Sequence, residues 1–558
     1  MNPPYTRQEE MESLVFPEGY RATLQRLASE EWDGFYVGKR SSIYSYFFFH
    51  GGQFLKEKGR LGLITSNSWL DVDYGKYLQS FFLENFKIIA IIESKVERWF
   101  EDADINTAIT ILEECGGKEK KDERDNNVVK FVQLKKPLSH YIPPTLLAKN
   151  EKERRKYEEK RWNAVKKLIE ATINVKEYHE DNDLRVFPKK QGELWKEGYD
   201  ERKKVYVGSQ WGKYTRAPSV FFKILKRGKD KLVMIEQLGE VRYPIKTGVN
   251  KFFYVTKKVI DEFDIEDEFL SHVVKTPKEF ETILLNTTNL KKFLFSCPLS
   301  KAKLTKLGKN GALQYIKWGE KQVTKARQKT PAGVPWPEVP SVQGRKYWYF
   351  IPEIKAADVL CNRFFDRRFF FGFTTKPVIE DQTFYGLTYY SSDQNLKKAQ
   401  TAVLNSTLMA LFVEPAGAIK VAQGVLQYAK DQMGRLITID ASKVSHNTRA
   451  KLVRTFEDLS KRRLGSIFEE IDAEKPENVS LDKVKPDRRK LDELIMREIL
   501  ALSDEEQLDI YKAVIDLVKA RMDRAKSVGK RKKKIKGIDV DALVEDIFEE
   551  VGKGRLMK

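Results

Sequence analysis

The chain has 558 residues, and its hydrophobic fraction of 41% supplies apolar surface for several cores. A charged fraction of 33% excludes a transmembrane bundle, and the apolar content excludes wholesale disorder. The net charge of +20 at pH 7 indicates a polyanionic partner, for which nucleic acid is the first candidate.

Residues 42–115 alternate between segments typical of helices and of strands. Apolar residues at helical spacing predict a helix over 42–59 that ends at Gly59, and 60–70 reads as a buried strand that opens into a polar loop. An amphipathic helix is predicted over 75–86, and apolar runs of strand length follow at 87–94 and 105–114. Such a pattern predicts an α/β layer with a sheet covered on both faces.

The rest of the chain divides by composition. Residues 116–202 are rich in mixed charges and predict a helical connector, whereas 203–445 have short aromatic and β-branched stretches that predict a mixed, strand-rich domain. Residues 446–558 predict a helical C-terminal region that includes a basic segment at 530–536. In it, Ser503 and Glu506 stand in the register of a capping box.

Several classes of site find no support in the residues. The three cysteines are scattered, which predicts neither a zinc site nor disulfides and favours a reducing cytoplasm, and no targeting peptide is recognisable in the first twenty residues. Gly34 to Ser41 departs from the P-loop spacing, and no G-x-G-x-x-G occurs. Glu93 and Lys95 leave open a metal-dependent nuclease, although no second acidic residue is clearly placed beside them.

The most specific signal is Asn2-Pro3-Pro4-Tyr5. An exocyclic amine of adenine is a poor nucleophile, so its alkylation requires acceptors that localise the lone pair and stabilise developing positive charge. The Asn2 side-chain oxygen and the Pro3 carbonyl can supply two acceptors, and prolines hold that backbone rigidly. Tyr5 offers a ring face to a base, which must be flipped out of the duplex to be reached.

These residues belong to an ordered set of motifs. Asn2-Pro3-Pro4-Tyr5, followed by residues 44–70, 74–94 and 98–114, resembles the catalytic half of gamma-type adenine-specific DNA methyltransferases. Residues 241–255 and 402–417 resemble the target-recognition domain of type II restriction-modification enzymes, and 488–521 resemble their helical C-terminus.

The resemblance implies a fold, a cofactor and a set of roles. The expected fold is α/β: the C-terminal half of a methyltransferase-like Rossmann sheet in residues 1–115, then a connector, a target-recognition domain and a helical tail. S-adenosylmethionine is the implied methyl donor. Asn2 and Pro3 would accept hydrogen bonds from the target amine, Tyr5 would stack on the base, and Phe100 would hold the adenine from another side.

Two polar stretches are the candidates for reading double-stranded DNA. Around Gly248, Arg and Asn suit base edges and Lys suits phosphates, and the candidates there are Arg242, Lys246, Thr247, Asn250 and Lys251. Arg367 and Arg368, interleaved with phenylalanines, form a second candidate surface. The alternative for this second stretch is an amphipathic element with its rings in the core and its arginines in solvent.

The sequence therefore predicts part of an enzyme that methylates the N6 position of adenine in DNA, within a restriction-modification or related defence system. The glycine loop that binds the cofactor in the family precedes the catalytic motif, and we expect a separately made N-terminal half to supply it unless gene truncation has removed it. A motif at a free terminus is expected to be mobile. The alternatives are a non-catalytic DNA-specificity subunit and, third, a nuclease that uses Glu93 and Lys95.

Overall fold

A computed structural model of the chain describes residues 1–5, 19–100, 105–144, 150–325, 332–352, 356–419 and 424–534. The chain divides into two compact units. The first comprises Met1–Ser219, Ala418–Leu426 and Leu517–Lys558, and the second comprises Val220–Gly417 and Gln427–Asp516. Among the described helices we find none with the length and apolar character needed to cross a lipid bilayer.

Helices and strands alternate through the first unit as far as Ser219. The helices are α1 (Tyr20–Glu31), α2 (Tyr44–Gln53), α3 (Gly75–Asn85), α4 (Lys121–Asn126), α5 (Leu138–Tyr141), α6 (Glu151–Ile173), α7 (Gln191–Gly198) and α8 (Gly212–Arg216). The strands are β1 (Arg60–Ser66), β2 (Phe86–Ser94), β3 (Thr107–Glu114), β4 (Val128–Leu134), β5 (His179–Glu180), β6 (Leu184–Lys190), β7 (Tyr199–Asp200) and β8 (Val205–Tyr206).

A six-stranded sheet of order β1-β3-β2-β4-β6-β5 organises the described part of this unit. Strand β3 is antiparallel to both β1 and β2, so β1 and β2 run in the same direction and end at the same edge. Strand β4 is parallel to β2, and β6 is antiparallel to β4. The edge at which β1 and β2 end is called the β1–β2 edge below.

The sheet is covered on both faces. Phe131 and Val132 are consecutive residues of β4, so their side chains point to opposite faces, and both are 0% exposed. Helices α2 and α3 contribute an aromatic layer in which the Phe49 and Phe81 rings stack with centroids 4.0 Å apart. This core holds β1 and β2 in register and so fixes the β1–β2 edge.

The predicted strands over 60–70, 87–94 and 105–114 are confirmed, as is the helix over 75–86. The helix predicted to end at Gly59 ends at Gln53 instead, because Gly51 and Gly52 weaken its last turn. Residues 116–202 differ more. The predicted connector supplies β4 and β6 to the sheet, and its charged character belongs mainly to α6.

The second unit contains several small sheets. The remaining strands are β9 (Leu232–Met234), β10 (Gly239–Arg242), β11 (Tyr254–Thr256), β12 (Leu270–Val274), β13 (Lys292–Phe295), β14 (Val359–Asn362), β15 (Phe364–Phe365), β16 (Phe371–Phe373), β17 (Ile379–Glu380), β18 (Phe384–Tyr389), β19 (Ala418–Ile419), β20 (Leu426–Gln427) and β21 (Ile437–Ile439). Of these, β19 lies in the segment Ala418–Leu426 of the first unit. Among the described residues, β10-β18-β14-β16 and β11-β13-β12-β17 form the four-stranded sheets. The mixture of helices and strands agrees with the mixed fold predicted here, whereas a target-recognition domain over 203–445 stays a prediction.

The helices that follow Arg216 continue to the end of the described chain, and the residues of the last one are divided between the two units after Asp516. They are α9 (Ser219–Arg227), α10 (Ile235–Leu238), α11 (Asn250–Phe253), α12 (Lys257–Phe263), α13 (Lys301–Lys306), α14 (Asn310–Glu320), α15 (Pro340–Gln343), α16 (Gln394–Leu404), α17 (Thr407–Ala416), α18 (Lys430–Gly434), α19 (His446–Leu459), α20 (Ile467–Ile471), α21 (Pro486–Glu493) and α22 (Asp504–Lys534).

The boundary predicted at residue 445 does not separate compact units, because residues 427–516 belong with 220–417. Helix α19 packs its apolar face on the second unit, where the Phe456 ring lies 5.3 Å from that of Phe373. The capping box before α22 is confirmed: the Glu506 N–H donates to the Ser503 hydroxyl at 3.2 Å, and the Ser503 N–H donates to the Glu506 carboxylate at 2.9 Å. The side chains of the basic segment at 530–536 lie outside the described residues.

Candidate active site

The segment that contains Asn2 to Tyr5 is docked along the outer edge of β1. The Met1 amino group donates to the Gly62 carbonyl at 2.8 Å, and the Ile64 N–H donates to the Met1 carbonyl at 3.1 Å. This alternation is the hydrogen-bond pattern of a parallel pair of strands. The prediction that the motif is mobile at a free terminus is therefore wrong, since β1 holds it in place.

The motif residues and Phe100 come together beside β1. Pro3 is buried, whereas Asn2 and Pro4 are exposed and Tyr5 is partly buried. The Tyr5 hydroxyl lies 3.1 Å from the Ile64 carbonyl and 2.9 Å from Asn2 Oδ1, so it can donate its proton to either acceptor. Burial raises the pKa of Tyr5 to about 12, which keeps the phenol protonated and able to donate at neutral pH.

The rings of Tyr5 and Phe100 have centroids 5.3 Å apart and planes inclined at 56°. Phe100 precedes β3, and because β3 runs antiparallel its first residues lie at the edge where β1 ends. The fold thus places two aromatic rings and the Asn2 amide within one small region, although 95 residues separate Tyr5 from Phe100.

A buried ionic network lies at the same edge, after β1 and β2. The Glu93 carboxylate accepts hydrogen bonds from Asn67 Nδ2 at 2.5 Å, from the Thr215 hydroxyl, and from Arg216 Nη2 at 3.0 Å. Arg216 Nη1 also donates to Asp71 at 2.7 Å. Arg216 therefore bridges two carboxylates and, through Glu93, fixes the loop that begins at Asn67.

The electrostatics of the network follow from burial and from Arg216. Burial raises the pKa of Asp71 to about 6, and the Arg216 guanidinium acts in the opposite direction. Burial also acts to raise the pKa of Glu93, but Arg216 and the hydrogen bonds it receives bring that pKa below its ordinary value. The Glu93 carboxylate is thus ionised and occupied by protein donors, which does not favour the nuclease in which it would bind a metal ion.

The sequence analysis missed the segment that carries Arg216. The Trp211 N–H donates to the Leu70 carbonyl at 2.9 Å, and the Gln79 side chain donates to the Ser209 carbonyl at 3.0 Å and accepts from the Tyr206 hydroxyl at 3.1 Å. Residues 205–217 therefore pack on the β1–β2 edge and belong to the first unit, not to a domain that begins at 203. The dense run of aromatic and basic residues in this segment was the sequence feature that could have indicated its importance.

Two family models match this chain. Residues 1–100 match the Eco57I restriction-modification methylase, and residues 210–474 match the C-terminal domain of the Type II methyltransferase M.Eco57I. The chain is related to the Eco57I-type restriction-modification methylases. The first match contains the docked motif and strands β1 and β2, and the second contains the candidate recognition residues.

The individual relatives are either distant in sequence or matched over only part of their length. The Type II methyltransferase M.BstVI of Geobacillus stearothermophilus is 31% identical over 101 residues, which are 18% of this chain and 16% of that protein. Among solved structures, the type IIG restriction endonuclease BpuSI is similar with a TM-score of 0.40, 13% identity and coverage of 94% of this chain and 54% of that chain. The type IIL restriction-modification enzyme MmeI in complex with DNA is similar with a TM-score of 0.47, 11% identity and coverage of 95% and 57%. The chain thus spans about half the length of these two solved structures.

The first stretch of predicted recognition residues divides into exposed side chains and side chains that are bonded within the protein. Lys246, Asn250 and Lys251 are exposed, and Thr247 is buried with its hydroxyl bonded to Asn250 Oδ1. Arg242 Nη2 donates to the Ala356 carbonyl at 3.0 Å and to the Thr388 hydroxyl at 3.2 Å. The Arg242 guanidinium therefore contributes to holding the second unit together.

The second stretch divides in the same way. Arg367 is exposed, whereas the Arg368 guanidinium donates to the carbonyls of Pro277 at 3.3 Å, of Phe280, and of Glu281 at 3.1 Å. Burial lowers the pKa of Arg368. The structure does not bring Arg367 together with Arg368 as one free surface, since Arg368 anchors a neighbouring loop.

Proposed function

We propose that this chain is the target-binding portion of an enzyme that transfers a methyl group from S-adenosylmethionine to the N6 position of an adenine in double-stranded DNA. The observation that carries the proposal is the docked motif, in which the exposed Asn2 amide and the Tyr5 ring lie beside Phe100. A base flipped out of the duplex offers both an amine edge and two faces, and this group of side chains matches that pair of requirements.

In this proposal each residue has one task. Asn2 Oδ1 and the Pro3 carbonyl accept hydrogen bonds from the adenine amine and stabilise its charge as the new bond forms. Because Pro3 is buried and cannot enter a strand ladder through a backbone N–H, its carbonyl is held in one direction. Tyr5 and Phe100 bind the base by ring contacts, and the buried network behind Asn67 keeps the edge rigid.

S-adenosylmethionine supplies the methyl group when it is bound. We assign none of the described residues to it, because no glycine loop of the kind that holds this cofactor joins a strand of the described sheet to a helix. A cofactor-binding half made as a separate chain stays a prediction. A cytoplasmic location, where DNA is accessible, is part of the same proposal.

Recognition of DNA is assigned to the second unit. Lys246, Lys251 and Arg367 are exposed cations that can contact phosphates, and the exposed Asn250 amide suits an adenine edge. Arg242, Thr247 and Arg368 support the surface from within. The proposal therefore keeps the predicted residues but separates those that touch DNA from those that hold the surface.

The decisive variant is Asn2→Ala, assayed in the complete methylating complex with plasmid DNA and with N6-methyladenine measured by mass spectrometry. Methyl transfer should fall by at least about 100-fold while DNA affinity stays within about twofold, because the lost acceptor acts mainly as charge develops. Asn126→Ala, on the exposed surface of α4, is the matched control and should retain activity. Unchanged transfer by Asn2→Ala would contradict the assignment, and sequence-specific binding without transfer by the parent would favour the specificity subunit.

A further inference from the structure

The loop over residues 243–251 has a built conformation. Gly248 adopts a left-handed φ of 77°, and a Cβ added there would lie 2.4 Å from Ser341 Oγ and 2.8 Å from Val342 Cγ1. Thr247 is buried and bonded to Asn250. The loop is thus packed against residues 341–342, and its exposed side chains project from a fixed backbone.

Arg345 fastens this loop through its main chain. Its Nη2 donates to the Lys246 carbonyl at 2.7 Å and to the Thr247 carbonyl at 3.0 Å, and its guanidinium lies 5.1 Å from the centre of the Phe253 ring. Burial lowers the pKa of Arg345. A guanidinium can lie flat on a ring while one nitrogen serves two carbonyls, whereas a lysine ammonium is a compact charge without this planar geometry.

The two segments also share a charge pattern. Residues 243–251 and 340–346 include four cations, Lys246, Lys251, Arg345 and Lys346, and neither segment has an acidic residue in a chain that has 81 of them. Lys346 and Gln343 are exposed, as are Lys246 and Asn250. An exposed group of lysines and amides without carboxylates fits a polyanion that also presents hydrogen-bonding edges.

We propose that residues 243–251 and 340–346 form one DNA-contacting surface in which Lys346 binds a backbone phosphate and Arg345 is the positioning residue that holds the reading loop. This inference rests on the proposed function, which assigns DNA binding to the second unit. It adds residues 340–346 to the DNA-binding surface. Arg345 then acts by holding the backbone of the loop over residues 243–251, and not by contacting DNA itself.

The test uses the full chain and duplexes of about 30 base pairs with random sequence, in two measurements. In the first, the dependence of affinity on salt is measured for the parent and for Lys346→Ala. The slope of log K against log salt should decrease by about 0.9, as expected when one phosphate contact is lost. Lys306→Ala, an exposed lysine on α13, is the control and should leave the slope unchanged.

In the second, the bound duplexes are sequenced after selection by the parent and by Arg345→Lys. Because lysine keeps the charge, the salt slope should stay the same, but the base preference of the bound pool should weaken at one or more positions. Unfolding midpoints of the variants, followed by tryptophan fluorescence, establish that each is folded. A loss of charge would change the salt slope and a loss of global stability would change the unfolding midpoint. Neither would change the base preference while leaving the other two measurements unaltered.

The outcomes separate the two levels of inference. If the parent binds duplex DNA and both Lys346→Ala and Arg345→Lys bind it in the same way as the parent, the proposed DNA-contacting surface is wrong. The proposed function is then left intact. A folded parent that has no affinity for duplex DNA overturns the proposed function and this surface together.

Discussion

Replacing Glu380 with glutamine is expected to remove a pH dependence of stability from the second unit. Glu380 lies on β17 and is 3% exposed, and among the described residues its Oε2 atom has no hydrogen-bond partner. Its Oε1 faces Gly386 of β18, where an added Cβ would lie 2.4 Å away. The charged or titratable groups around it are Arg242 on β10, Cys361 on β14 and Tyr254 on β11.

Burial raises the pKa of Glu380 from 4.5 to about 7, against smaller opposing effects of a hydrogen bond from its own backbone N–H and of Arg242. The folded chain therefore binds a proton that the unfolded chain releases between these values. The stability present below pH 4.5 is lost as the pH rises through about 7, and the difference amounts to about 3 kcal/mol at about 1.4 kcal/mol per pH unit. A glutamine of the same shape has no charge to desolvate, so it should escape this loss.

The assay is urea unfolding followed by tryptophan fluorescence at a series of pH values on either side of about 7. Glu380→Gln should be more stable than the parent by up to about 3 kcal/mol above this pH and should converge with it near pH 4.5. Glu240→Gln is the control, because Glu240 is exposed on β10 and its loss should leave the pH profile parallel to that of the parent. The reasoning is refuted if Glu380→Gln and the parent keep the same difference in stability across the whole range.

Variants at three further positions test two sites of the first unit and the start of α22. Arg216→Met should destabilise the fold by about 3–5 kcal/mol in urea unfolding, since it leaves Asp71 and Glu93 buried without their cation, and Arg216→Lys should recover part of this loss. Tyr5→Phe keeps the ring that contacts the base, so methyl transfer should fall less than about tenfold, whereas Tyr5→Ala should lose base stacking of about 1–3 kcal/mol; equal losses would contradict the ring's role. Ser503→Ala removes the cap of α22 and should lower the free energy of unfolding by about 1 kcal/mol, and an unchanged value would show that the cap is not needed.

Local patterns predicted what local forces determine. The apolar runs that form β1, β2 and β3 and the capping box at Ser503 were visible because each depends on residues close in sequence. The contribution of residues 116–202 to the sheet was not visible in the sequence, because the charged surface of α6 dominates their composition. Strands β4 and β6 are instead stabilised by pairing with partners distant in sequence.

The residues of the candidate site also include some that the sequence indicated and some that it did not. Asn2, Pro3 and Tyr5 form a contiguous motif, and a resemblance could indicate Phe100, but nothing in the spacing of Asp71, Glu93 and Arg216 predicts that they meet. Arg242 and Arg368 illustrate the opposite difficulty. Their residue type suits DNA, yet main-chain carbonyls of the second unit occupy their guanidinium groups, and only the tertiary structure brings those carbonyls close.

The reversed direction of β3 has a consequence for how the first unit folds. Because β3 runs against β1 and β2, the residues before it reach the edge that otherwise receives residues after a strand, and Phe100 meets Tyr5 only by this route. That meeting joins positions 95 residues apart in the sequence, so the entropic cost of closing the intervening loop must be offset by the pairing of the sheet. The aromatic pair therefore depends on the pairing of β3 with β1, and a change that loosens this pairing should separate the two rings.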